Sequence, residues 1–389
     1  MNPEDDALYF QREQSQIKHI VLENYLERFA IIVGKWSDGI LYVDGFSGPW
    51  NSVSKDFKDS SFAIALRQLR SARTAVKKTF GRELRITCVF LERDPTAFTQ
   101  LEAYSSQQKD VEIILLNRDF EPAIPELVSI IRARQPGYFP FVLIDPTGWS
   151  GFSMEVIAPL LRIRPCELLI NFMTSFITRF IDDEREGIEA SFRRLFGDDS
   201  YRLRIEGLEN IAREDAMVSA YADRIAQVGD FNLMASTVVL HPTKDRTHFH
   251  LVYATRSLRG LEVFKTAERA ALKLTETVRA DAKRRDRERI SGQSELFGGR
   301  DIPEIAHLDF LRNHYENASA KEIRRMLNLT EEVTYDALYA TTMKFPVVQE
   351  AFLKKWISEN AHVVTNDGSK APKIGNKHLV RRRPSVRFQ

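Results

Sequence analysis

The sequence predicts an α/β protein: a mostly parallel sheet with a terminal antiparallel hairpin, followed by a small C-terminal α+β domain. Three observations predict it. Short, nearly continuous apolar runs alternate with helical segments, the pattern of strands buried on both faces by helices. Glu92, Asp119, Asp145 and Asn171 stand at or just past the ends of successive runs, 27, 26 and 26 residues apart. That is about the chain one strand–helix unit needs. Finally, residues 233–255 break the rhythm with two β-rich runs joined by a short Pro-, Lys- and Asp-containing loop, which reads as a hairpin.

The elements follow in order. Residues 11–36 carry Ile17, Ile20, Val21, Tyr25 and Phe29 at helical spacing. "GILYVD" is the first strand, and the loop after it is polar. "SFAIALRQLRSARTAV" is a helix that Ser60 or Ser61 can cap. "LRITCVFLE", "VEIILLN", "FPFVLID" and "CELLINFM" are strands, with helices such as "PTAFTQLEAYSSQQ" and "PAIPELVSIIRARQ" between them. Asp94 precedes Pro95 as an N-cap precedes the first helical residue. A long helix is expected over 262–290, then a linker. "SAKE" (319–322) has the form of a capping box before "IRRML". Further helices are expected near 331–343 and 347–358. A closing hairpin turning at Asp367-Gly368 would make a winged-helix-like unit. The domain reading is thus 1–36, an N-terminal helix packing on the core; 37–261, the Rossmann-like domain; 262–302, a helical connector and linker; and 303–389, the winged-helix-like domain with a basic tail.

Composition is that of a globular protein, 43% hydrophobic and 28% charged, with a net charge of +2. The acidic start and the lack of a long apolar run give an expectation of a cytoplasmic protein. Cys88 and Cys166 each fall in or beside a strand and are expected as buried thiols, too few to hold a zinc or iron–sulfur centre alone. "HPTKDRTHFH" puts His248 and His250 on one strand face without completing a metal set. "RADAKRRDRER" (279–289) alternates charge like a solvated helix face. The tail offers Lys377, Arg381, Arg382, Arg383 and Arg387 without an acid, a candidate phosphate contact.

A mostly parallel sheet closed by an antiparallel hairpin resembles the class I S-adenosylmethionine-dependent methyltransferases, a Rossmann-like class. Their cofactor edge needs a glycine loop after the first strand, an acid after the second and a polar residue after the third. "DGFSGPW" supplies Asp44, Gly45, Phe46 and Gly48. Glu92 suits the ribose hydroxyls, and Asp119 the adenine, with Phe120 available to stack. After the fourth strand, Asp145-Pro146-Thr147-Gly148-Trp149 partly matches the Asp-Pro-Pro-aromatic motif of amino-group methyltransferases. There an acidic or amide side chain and a proline carbonyl orient the amine, and an aromatic ring stacks on a flipped base. Asp145 and Pro146 are the catalytic candidates. Trp149, Asn171, Arg381, Arg382 and Arg383 are the substrate-binding ones.

"YVDGFSGPW", "SSFAIAL", "FVLIDPTGWSG", "LLINFM" and "HLVYATRSLRGLEVFK" together resemble the three-Cys-motif partner (TcmP) proteins over roughly residues 15–270. That resemblance implies a bacterial methyltransferase-like protein. It also implies a partner, a three-cysteine-motif protein that looks like a radical S-adenosylmethionine protein. The chain departs from the family at Gly48-Pro49-Trp50, where Gly-Pro-Gly is usual, and at Asp59-Ser60-Ser61, where Gly-Ser-Pro is usual. The leading expectation is a methyltransferase acting on DNA or RNA. A non-catalytic scaffold holding nucleic acid or the partner is the alternative. A hydrolase or nuclease binding metal through Asp44, Glu92 or Asp145 is the third.

Overall fold

All five parallel-strand candidates and the hairpin form as strands. The computed structural model describes residues 8–48, 52, 54, 56–291, 306–330, 332–364 and 378–382. The first half runs α1 (Glu13–Val33), β1 (Gly39–Asp44), α2 (Ser61–Phe80), β2 (Arg85–Leu91), α3 (Pro95–Ser105), β3 (Glu112–Leu116), α4 (Phe120–Arg134), β4 (Tyr138–Ile144), α5 (Met154–Leu161) and β5 (Glu167–Phe172). Then come α6 (Thr174–Phe180), α7 (Glu186–Phe196), α8 (Ser200–Ile205), α9 (Asn210–Gly229), β6 (Leu233–Leu240), β7 (Thr247–Thr255) and α10 (Leu258–Ser291). The sheet order is β3-β2-β1-β4-β5-β7-β6. Only β7 is reversed, pairing antiparallel with both β5 and β6. The sheet is thus mostly parallel and closes in an antiparallel hairpin, as the sequence predicts.

Period-2 alternation divides the core between the two faces. Ile40 and Tyr42 face one hydrophobic cluster with α1, α2 and α10. Leu41 and Val43 face the other, with α4, α5 and α9. Local chemistry sets the helix ends. Ser60 caps α2 by accepting from the Ala63 amide, and Gly81 ends it in the left-handed region at φ 66°. Asp94 caps α3 by accepting from the Ala97 amide, with Pro95 at the first turn. Both cysteines are buried thiols. Among the described residues, no helix is long and apolar enough to cross a membrane.

A buried polar knot ties α1 to the sheet. The Tyr25 hydroxyl donates to Glu167 and lies 2.8 Å from the Tyr253 hydroxyl, while Thr255 donates to Glu167 at 2.6 Å. Burial pushes the Glu167 carboxyl above its ordinary range. Gly260 is required beside it, because a Cβ there would collide with Glu167 and Tyr253.

The C-terminal elements are α11 (Ala306–Leu329), β8 (Glu332–Thr334), α12 (Tyr335–Met343), α13 (Glu350–Asn360), β9 (Ala361–Val364) and β10 (Leu379–Arg382). They form a three-stranded antiparallel sheet in the order β8-β10-β9. They share a hydrophobic cluster with the α1/α10 face of the large sheet. A buried ion pair on α10, Lys265–Glu268, reaches across: Lys265 donates to the Phe345 carbonyl at 2.9 Å and Glu268 accepts from the Val347 amide at 2.8 Å.

Two expectations are corrected. Ser319 to Glu322 do not start a helix; they lie inside α11, and Ser319 is fully buried. The apolar stripe of Leu308, Leu311, Tyr315, Ile323 and Leu327 runs continuously through them, so packing overrides the local capping pattern. The stretch 279–289 is not simply solvated. Arg279 is buried, donating to the His241 and Lys244 carbonyls and to Asp245, and Arg285 pairs with Glu13. The linker 292–302 and the Asp367-Gly368 turn lie outside the described residues.

Tyr25→Phe leaves a buried carboxylate short of a donor. It should lower unfolding free energy by about 1–3 kcal/mol. The check is a fall in urea midpoint at unchanged m-value; an unaltered midpoint would show that the knot contributes nothing net.

Candidate functional site

The parallel register brings one polar group from each strand end to a common edge. Asp44 pairs in register with Phe90 on β2 and with Leu143 on β4. Two residues further, Glu92 and Asp145 therefore flank the level of Phe46. Ile144 pairs with Ile170, so Asp145 and Asn171 are neighbours, and the Asn171 amide donates to Asp145 at 2.8 Å.

Asp44 is fully buried. It accepts from the Phe46 amide at 3.1 Å and from the Ser61 hydroxyl at 2.6 Å. It thereby fixes the loop to the start of α2. Burial is the main reason its carboxyl is raised to about 6, with the Ser61 and Phe46 bonds opposing and the Asp145 charge adding. Ser47 closes the same turn by donating to the Asp44 carbonyl at 2.9 Å. Gly45 is needed because the Phe120 ring occupies the place of a Cβ, its nearest atoms 2.7 Å away. Phe46 is half-buried, and its ring packs on Phe120 at 5.3 Å between centroids. Gly48 is also half-buried; Pro49 and Trp50 lie outside the described residues.

Glu92 is buried and accepts from the Asp94 amide at 2.6 Å. Burial raises its carboxyl above the ordinary value. Asn117, at the end of β3, braces it by donating to the Glu92 carbonyl at 2.8 Å. Asp119 holds the N-cap position of α4, yet its side chain makes no capping bond. It is exposed, 3.6 Å from the Arg93 guanidinium.

Lys18, which sequence reasoning missed, completes the edge. Because α1 runs opposite to β1, its first turns lie over the strand ends, and Lys18 pairs with Asp145. The two side chains are mostly buried, so this contact is worth more than a surface ion pair. Asp145 thus meets Lys18 on one oxygen and Asn171 on the other. The Asn171 amide oxygen has no hydrogen-bond partner. Pro146 is buried behind Asp145.

Other candidates stand elsewhere. Trp149, expected to offer a face to a base, packs against Phe192 and Phe180 at 5.4 and 5.0 Å between centroids and donates to Ser191 at 2.9 Å. The insertion of α6 and α7 after β5 uses its ring as core. Phe120, expected to stack on adenine, is buried beneath Gly45. Arg381 lies on β10, half-exposed and paired with Glu332. The Arg382 side chain and Arg383 fall outside the described residues. Among the described residues, no three His, Cys, Asp or Glu side chains gather as metal ligands.

No family model matches the chain, and no curated protein does. Solved structures are similar to it. One is a candidate methyltransferase of Thermobifida fusca, at 13% identity over 62% of this chain and 83% of that one, TM-score 0.31. A second is a mycolic acid cyclopropane synthase complexed with S-adenosylhomocysteine, at 10% identity over 68% and 76%, TM-score 0.26. A third is a loganic acid methyltransferase with S-adenosylhomocysteine, at 9% identity over 74% and 92%, TM-score 0.31. These likenesses concern fold alone.

The Asp44 carboxyl makes a prediction. Near pH 3.8, its ordinary value, the unfolded chain begins to ionise while the folded chain stays protonated up to about 6. The folded state therefore loses stability across that window, and the loss is constant above it. Asp44→Asn, which can keep the Ser61 and Phe46 contacts, should gain about 3 kcal/mol at pH 8 and little near pH 4. Thermal melts of both proteins at the two pH values read this; a less stable variant at pH 8 would contradict it.

Proposed function

We propose that the chain is an S-adenosylmethionine-dependent methyltransferase acting on an amino group, with nucleic acid as the substrate class. The observation that carries the reading is the order of groups along the carboxyl edge. The glycine loop follows central β1, buried Glu92 follows β2, and exposed Asp119 follows β3. Asp145 and Asn171 sit on the opposite side of the loop. Open α/β sheets bind ligands at this edge.

The donor and acceptor set fits the cofactor. Glu92 accepts one backbone amide and has acceptor capacity left for ribose hydroxyls. Asp119 has an exposed carboxylate for the adenine amine. The cofactor, when bound, supplies an electrophilic methyl group. Asp145 and Asn171 present adjacent acceptor oxygens that can take the two N–H bonds of an amine and direct its lone pair. The Pro146 carbonyl is a further acceptor. Lys18 pairs with Asp145 and keeps it in place beside its substrate, so it is a positioning residue.

The C-terminal unit supports nucleic acid as a partner. Its order, helix, strand, two helices, two strands with the last strand central, is that of a winged helix, and its strand β10 carries Arg381 and Arg382, with Arg383 next in the sequence. The resemblance to three-Cys-motif partner proteins adds a three-cysteine-motif protein as the expected companion.

A second reading has one observation behind it. Phe120 takes the space that Gly45 leaves, so the protein itself uses the glycine's freedom. A scaffold that no longer binds cofactor would look like this.

The test is methyl transfer from labelled S-adenosylmethionine to total RNA and DNA. Asp145→Ala should cut transfer at least about 100-fold while changing cofactor affinity less than about threefold. Equal loss of both would remove Asp145 from the acceptor side.

A further inference from the structure

A cavity of about 670 Å³ lies between α6, the start of α9, the β6–β7 loop and the start of α11. It continues the edge just described: Phe172, next after Asn171, pairs in register with His250 on β7, and α6 begins two residues later. None of the groups assigned above lines it.

Its chemistry is particular. Phe176 and Phe310, 36% and 54% exposed, line it with bare aromatic surface. Glu214 lines it too, and one of its oxygens has no hydrogen-bond partner. That oxygen faces the Nδ1 of fully buried His250 at 3.4 Å, and the Nε2 of that ring has no hydrogen-bond partner. His248 has an unpartnered ring nitrogen at the same wall. Arg179 and Arg246 border the cavity, and neither forms an ion pair among the described residues. Leaving a buried polar atom unpaired costs free energy, and the lining residue His248 carries one.

Aromatic walls, an edge of acceptors and donors, and two unpaired guanidinium groups match one class of ligand: a phosphorylated aromatic heterocycle. We propose that this cavity holds a nucleotide of a single-stranded nucleic acid. Its base lies between Phe176 and Phe310, its polar edge meets Glu214 and His248, and its phosphate meets Arg179 and Arg246. The inference rests on the methyltransferase reading only for the purpose of the site. The binding itself is independent of any cofactor. Stacking on the two rings would make the binding tolerant of sequence, because every base has a face to stack.

The test is fluorescence anisotropy of labelled single-stranded RNA and DNA hexanucleotides with the full chain and no cofactor. Phe176→Ala and Arg246→Ala should each weaken binding at least about fivefold. Lys77→Ala, an exposed cation at the far end of α2 and outside every site assigned above, should change it less than about twofold. Titration of S-adenosylmethionine into Phe176→Ala should match the wild type, which keeps this claim separate from the cofactor site. The proposal is overturned if the wild type binds neither hexanucleotide, if the two cavity variants bind as the wild type does, or if Lys77→Ala loses as much as they do.

Discussion

The register of β1 between β2 and β4 is the constraint on which the site depends. Parallel strands in register end at one level, so whatever follows Asp44, Leu91 and Ile144 must meet. Here carboxylates follow two of them and a carboxylate ends the third. Such a cluster repels itself and pays for desolvation. The protein answers in three ways. Asp44 receives two hydrogen bonds, Glu92 a backbone amide, and Asp145 the ammonium of Lys18. The last answer requires α1 to lie over the edge, which the Tyr25–Glu167–Tyr253 knot secures two turns further along the same face of that helix.

Much of this was legible in the sequence, for a physical reason. Strands buried on both faces must be apolar throughout, so their ends are sharp and the polar residues beyond them conspicuous. The 26-residue rhythm, the Asp94–Pro95 helix start and the hairpin near 241–246 follow from local rules that packing does not override. Lys18 was not legible, because a lysine in an amphipathic helix is ordinary until its helix is placed. Trp149 and Phe120 misled for the opposite reason. An aromatic ring after a strand serves core or ligand equally, and only the insertion of α6 and α7 and the approach of Phe120 to Gly45 decide. The "SAKE" pattern failed because a continuous apolar stripe outweighs a cap. Glu214 and His250 carried no signal, being 36 residues apart and joined only by the fold.

The docked C-terminal elements share this economy. Lys265 and Glu268 are buried as a pair and spend their remaining hydrogen bonds on the backbone around Phe345 and Val347. Breaking one partner would strand the other's charge, so the contact specifies one docking geometry more than it stabilises it. Asp215 on α9 adds a second tie, accepting from His314 and Tyr315 at 2.7 and 2.8 Å. The cavity with Glu214 lies next to this tie, so its shape depends on the C-terminal elements being seated.

The central claim is that the edge around Gly45, Glu92 and Asp119 takes S-adenosylmethionine. Isothermal titration of the full chain with S-adenosylmethionine tests it most directly, with Glu92→Ala as the control. The wild type should bind with micromolar affinity, and the variant should lose about 1–3 kcal/mol of it. No heat of binding to the wild type, or equal affinity in Glu92→Ala, would contradict it and move the scaffold reading to first place.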